Sequence, residues 1–152
     1  MSKALGNELP AELVQDLNGQ DLASKWSKTI PLVTVDGEGF PHFAILSYGE
    51  ILATGAGQLR IGLYPNSSTT RNIQARPKLS LLIVLGDSVY YVKGAANEQP
   101  AQNVVRFDVT VEQVLLDNEP GARITGGIGF EMSQGKQWWL DTAEKTLATL
   151  RD

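Results

Sequence analysis

The sequence predicts a mainly β protein, an antiparallel barrel of about seven strands with flanking helices. Three observations carry this. Period-two hydrophobic alternation recurs through the middle of the chain, most cleanly at Val105, Phe107, Val109 and Val111. Turn signals such as Asp36-Gly37-Glu38-Gly39 and Gly86-Asp87 separate these runs and mark hairpins. Helical periodicity is confined to the two ends and one short interior stretch. Chain length and the doubly apolar run Leu79 to Leu85 favour a barrel over a sandwich.

The chain has 152 residues, 42% of them hydrophobic, which fits a single domain over 1–152 with a substantial core. The N-terminal part, 1–29, is expected to be helical. Leu9, Leu13 and Leu17 share one helix face, Pro10 suits a first turn and Asn18-Gly19 a stop. Asp21 then caps a short helix carrying Leu22, Ala23 and Trp26. The barrel is expected over 30–130. Its first strand is the β-branched run Ile30 to Val35. The returning strand, Pro41 to Ser47, places His42, Ala44 and Leu46 on one face, and Phe43, Ile45 and Ser47 on the other. Tyr48 to Gln58 reads as a connection.

A strand follows in which Leu59, Ile61 and Leu63 alternate with Arg60, Gly62 and Tyr64. Pro65-Asn66 breaks it, and Ser67, Ser68, Thr69, Thr70 and Arg71 come next. A helix starts there, because Ser and Thr are favoured caps. It ends by Arg76, because Pro77 disfavours helical geometry before it. Leu79 to Leu85 is then a central strand and Val89 to Ala95 its hairpin partner, with Lys93 read as solvent-facing. Asn97 to Gln102 reads as a loop. The alternating strand from Val105 changes phase near Gln113, where a bulge is expected. Asp117 to Gly121 is a turn, and Ile124 to Phe130 a last, glycine-rich strand. The tail, 135–151, is a helix with Trp139, Ala143, Leu147 and Leu150 on one face and Trp138 nearly opposite.

Composition narrows the function. Net charge is −4 with no basic stripe, which argues against a nucleic-acid partner. No run suits a membrane span and the N-terminus lacks a signal-peptide core, so a cytoplasmic protein without a membrane partner is expected. Cysteine is absent and His42 is the single histidine, so no metal site is expected and a catalytic triad has little to build on. Demanding chemistry would fall to a bound cofactor. The Ser67–Arg71 turn is a candidate seat for it: a helix N-terminus presents free N–H groups and partial positive charge, here among hydroxyls and an arginine. The plainer alternative is an ordinary cap in a solvated turn. Trp138, off the core stripe, is either an interface or ligand edge or a partly exposed aromatic.

Two stretches, DGEGFPHFAIL and LRIGLYPNSSTTRNIQARPKLSLLIV, resemble the pyridoxamine 5′-phosphate oxidase-like family of flavoproteins over residues 28 to 130. The resemblance implies a split barrel of roughly six to seven antiparallel strands. It further implies a homodimer with FMN at the subunit interface and an oxidoreductase activity on an unknown small-molecule substrate. It places the flavin phosphate at Ser67, Ser68, Thr69, Thr70 and Arg71, and the ring beside Ala44, Leu46, Ser47 and Tyr64, with Trp138 near it. The oxidases of the family carry a Ser-Arg-Lys run in the phosphate turn where this chain has Ser and Thr, and no vitamin-B6 oxidase activity is implied. The alternative is a non-catalytic dimeric barrel that binds haem, a deazaflavin or a small anion, or holds no cofactor.

Overall fold

The structure is a computed structural model and describes residues 1–152. Eight strands and three helices follow one another as β1 (Ser2–Gly6), α1 (Ala11–Asp16), β2 (Thr29–Val35), β3 (Pro41–Ser47), β4 (Ile51–Gly55), β5 (Gln58–Leu63), α2 (Ser68–Ala75), β6 (Lys78–Leu85), β7 (Ser88–Gln99), β8 (Val105–Asp117) and α3 (Lys136–Arg151). Seven strands form one curled antiparallel sheet in the order β3-β2-β6-β7-β8-β5-β4. The end strands β3 and β4 are not hydrogen-bonded to each other, so the architecture is a half-barrel. Leu32, Leu59, Ile61, Leu81, Ile83, Val92 and Val109 fill its inside and are almost wholly buried.

β8 is long enough to serve two partners along one edge. β5 pairs with Val105–Thr110, and β1 pairs with Val114–Asp117. The bulge expected near Gln113 lies between these stretches. On β7, Lys93 faces Gln113 while the next residue, Gly94, faces Val111, so Glu112 is the extra residue. Gly94 is required there, since a Cβ would lie 2.6 Å from Val109 Cγ1 and 2.7 Å from the Thr110 carbonyl oxygen.

Four expectations need correction. The first residues form strand β1, not helix, because helical periodicity begins only at Leu9; α1 itself is short, though Leu9, Leu13 and Leu17 are all buried as their spacing implies. Tyr48 to Gln58 is not a mere connection. Ile51 and Leu52 are both buried in β4, whose Ala53 N–H donates to the Leu17 carbonyl at 2.8 Å. The loop expected from Asn97 begins later, because β7 continues to Gln99 against the first half of β8. Ile124 to Phe130 is not a strand; it makes one isolated bridge, Lys28 to Gly129, and leaves Ile128 exposed. Its three glycines weaken strand formation, and the segment is instead pinned to 27–29, with the Phe130 N–H donating to the Ser27 carbonyl at 3.0 Å and Thr29 Oγ1 to the Ile128 carbonyl at 2.6 Å.

α3 has the amphipathic face expected of it. Trp139, Ala143, Leu147 and Leu150 are buried, and Trp138 remains 42% exposed. The helix lies against β4 and β5. Arg60 on β5 donates from Nη1 to the Leu150 carbonyl at 2.7 Å, so a cation satisfies the negative end of the helix dipole.

Candidate functional site

The turn after β5 is built by its own hydroxyls. Ser67 is the N-cap of α2, its Oγ accepting the Thr70 N–H at 3.1 Å and donating to Thr70 Oγ1 at 2.9 Å. Thr70 Oγ1 in turn donates to the Tyr64 carbonyl at 2.7 Å. These two hydroxyls are therefore committed to the turn. The Arg71 guanidinium curls back onto the Asn66 carbonyl and, at 3.3 Å, the Ser68 hydroxyl. Thr69 is buried, while Ser68 and Arg71 are exposed. The N–H groups of Ser68 and Thr69 have no acceptor in the chain, as a helix start requires.

Asn72 anchors the helix. Its Nδ2 donates to Thr34 Oγ1 on β2 at 3.1 Å, and both side chains are buried. With Ile73 also buried, the N-terminus of α2 is held rigidly against the barrel wall.

A cavity of about 460 Å³ opens beside this turn, between β3, β5 and α3. Its volume falls in the range of small-ligand sites. Tyr64 belongs to both features: it lines the cavity, and its carbonyl closes the α2 turn. Ile45, Phe130, Met132 and Trp138 supply further apolar surface, and Thr142, Thr146 and Thr149 line it from α3, the hydroxyls of Thr142 and Thr149 donating back to the Trp138 and Lys145 carbonyls. Two glycines allow α3 to approach this closely. A Cβ on Gly49 would lie 2.5 Å from Ala143 Cβ, and one on Gly62 would lie 3.1 Å from Thr146 Cγ2.

The residues singled out from the sequence divide into three groups. Ser47, Tyr64 and Trp138 line the cavity. Ser67, Ser68, Thr69, Thr70 and Arg71 lie in the adjoining turn and outside the cavity lining. Ala44 and Leu46 are elsewhere: Leu46 is buried in the core and Ala44 packs against it. The pleat explains this placement, since alternate residues of β3 point inward and it is Ile45, with Ser47, that reaches the cavity. His42 pairs with Thr34 across the β2–β3 ladder and does not line the cavity.

Sequence reasoning missed Glu50. It lines the cavity, and its Oε2 accepts the Ser47 N–H at 2.6 Å. Burial raises the pKa of its carboxyl from the ordinary value, opposed by hydrogen bonds from the Ser47 backbone and side chain. The one available signal was an acidic residue in SYGEIL, set between a glycine and buried aliphatic residues.

The donor set fits a phosphate-bearing planar cofactor such as FMN. Two free N–H groups, the Ser68 hydroxyl and the single charge of Arg71 stand at one end, and an aromatic-walled cavity begins at Tyr64. Charge compensation is modest, because Arg71 is the only cation in the turn.

No family model matches the chain. A Bacillus subtilis (strain 168) protein, YclD, described as uncharacterized, is 29% identical over 150 residues, covering 95% of this chain and 97% of its own. Among solved structures, a Lactobacillus delbrueckii protein provisionally assigned as a pyridoxamine 5′-phosphate oxidase superposes with a TM-score of 0.59 at 19% identity, covering 74% of this chain and 98% of that one. HupZ of Group A Streptococcus gives 0.57 at 14% identity, over 79% and 98%. HutZ of Vibrio cholerae, described as a haem storage protein, gives 0.51 at 14% identity, over 70% and 93%. With its curled antiparallel half-barrel and flanking helices, the chain has the fold of the pyridoxamine 5′-phosphate oxidase-like split barrels.

Proposed function

We propose that this chain is a flavin-binding protein of the oxidoreductase type, holding FMN with its phosphate at the N-terminus of α2 and its ring in the cavity under α3. One observation carries the reading: the unpaired N–H groups of Ser68 and Thr69 are joined through Tyr64 to an aromatic-lined cavity of ligand size. When bound, FMN supplies hydride and single-electron transfer to a small-molecule substrate. The chain's own residues bind and orient it. Ser68, Thr69 and Arg71 meet the phosphate, while Tyr64, Ile45 and Trp138 cover the ring and keep water from it.

The assembly we propose is a homodimer. β3 is an end strand of the sheet, and its outward residues Phe43 and Ile45 are 68% and 46% exposed, with Phe40 exposed beside them. A second copy covering this face would bury those rings and close the cavity on the side of Ile45.

The haem alternative has the likeness to HutZ behind it, but the one imidazole of the chain, His42, lies outside the cavity. The two readings separate on the absorbance spectrum of the freshly purified protein, with mass identification of whatever denaturation releases. The flavin reading expects a yellow protein that yields FMN. A colourless protein that also fails to bind added FMN at micromolar concentration refutes it, and a haem spectrum selects the alternative.

A further inference from the structure

The cavity lining holds donors that the fold does not use. Lys145 on α3 lines the cavity, is exposed, and enters none of the chain's ion pairs. The acidic residues beside it on the helix are engaged elsewhere. Asp141, one turn before it, accepts from Gln137 Nε2 at 2.9 Å, and Glu144 pairs with Arg151 at 3.5 Å.

Two carboxamides stand in the same lining. Gln102 and Asn103 lie in the loop joining β7 to β8, and neither side chain enters a hydrogen bond within the chain. This loop abuts α3 at Gly62, where a Cβ would lie 3.4 Å from Val104 Cγ2 and 3.1 Å from Thr146 Cγ2. Val104 follows Asn103 and Thr146 follows Lys145, so the free ammonium and the free amides are carried on adjoining segments of one wall. The hydroxyls of Thr142 and Thr149 are already given to α3 carbonyls, which leaves an incoming acceptor to Lys145 and the two amides.

The same space is walled by Ile45, Phe130, Met132 and Trp138, which suits an aromatic or branched apolar body. Its other charged side chain is Glu50, held by the Ser47 N–H. One free cation in a space that also contains a carboxylate matches a singly charged anion, whereas a doubly charged phosphate would be left with net repulsion. We propose that this part of the cavity seats a small molecule bearing one carboxylate, which Lys145 Nζ and the Gln102 and Asn103 amides meet while the apolar wall holds its body. This names a substrate class for the flavin reading and rests on it in placing that molecule beside the ring. The three donors themselves are not among the residues assigned to FMN.

The probes are benzoate and its uncharged counterpart benzamide, which share a ring and differ in charge. Each is titrated against the purified protein at low ionic strength and followed by saturation-transfer NMR. Benzoate is expected to bind about fivefold more tightly than benzamide, the gain from one solvent-accessible charge pair. Lys145→Gln is expected to bind the two alike, and Lys145→Arg to keep the preference. Lys136→Gln removes an equal charge from the first residue of α3, outside the lining, and is expected to keep it as well. Both lysines are exposed and outside every ion pair, so these variants fold as the wild type does.

Equal binding of the two probes by the wild type, binding of neither, or a preference that survives Lys145→Gln overturns the seat. An equal loss in Lys136→Gln also overturns it, because the preference would then be a property of overall charge. FMN binding is measured on the same samples. A protein that binds FMN but shows no preference for benzoate loses the seat and keeps the flavin reading. One that prefers benzoate through Lys145 but binds no FMN keeps the seat and loses the flavin reading.

Discussion

Placing a methyl group on Gly49 tests how α3 is seated on the barrel. In Gly49→Ala the new Cβ meets Ala143 Cβ at 2.5 Å and Ala143 Cα at 2.9 Å, with Ser47 Oγ at 3.4 Å. Carbon atoms prefer about 3.5–4.0 Å, so the helix must retreat by the order of 1 Å. Both sides of the contact are rigid, one being strand-turn backbone and the other the buried face of α3. Overpacking of this kind costs about 1–3 kcal/mol, which for a chain of this size lowers Tm by about 2–12 °C. The assay is urea unfolding together with Ala143→Gly and the double variant. Ala143→Gly alone loses about 1 kcal/mol as a glycine in a helix, but it also removes the closer of the two clashing atoms. The double variant is therefore expected to be more stable than the sum of the single losses, a favourable coupling of about 1 kcal/mol. Strict additivity, or a Gly49→Ala protein as stable as wild type, refutes the close seating of α3.

Other outcomes follow from the same contacts. Asn72→Ala leaves the buried Thr34 hydroxyl without its donor and is expected to cost about 1–3 kcal/mol in urea unfolding; a neutral result contradicts the anchoring of α2 to β2. Ser67→Ala removes the α2 cap and is expected to cost about 1 kcal/mol and to weaken FMN binding, and a protein unchanged in both respects moves the phosphate seat elsewhere. For Glu50 the folded pKa lies above the unfolded one, so its protonated form stabilises fully below about pH 4, and this contribution is lost as pH rises through the folded pKa. Stability measured against pH should then fall more steeply for wild type than for Glu50→Gln over that rise, and parallel curves contradict the burial of the carboxyl.

How much of this was legible in the sequence depended on whether the cause was local. A serine cap at the start of α2, the helix stop before Pro77 and the bulge near Gln113 are decided by neighbours along the chain, and each was readable from residue type and spacing, though not that the cap is Ser67. β4 was not, because the burial of both Ile51 and Leu52 erases the alternation that marks a half-buried strand. β1 was missed because its residues are exposed and carry no hydrophobic pattern; it is a strand only because the second half of β8 offers an edge. At the site, the hydroxyl-rich turn was visible and the cavity was not. Gly49 meets Ala143, and Gly62 meets Thr146, across most of the length of the chain. The inward and outward faces of β3 were separated by period, but which face met the cavity depended on where α3 docked; Ile45 and Ser47 line it, and Ala44 and Leu46 do not.

The central claim is that a phosphate-bearing flavin spans the α2 N-terminus and the cavity under α3. The most direct test compares the affinities of FMN and riboflavin for the same protein, since the two differ only in the phosphate. Phosphate contacts to two backbone N–H groups, a hydroxyl and one arginine should make FMN bind at least about tenfold more tightly than riboflavin. Equal affinities, or no binding of either, contradict the account.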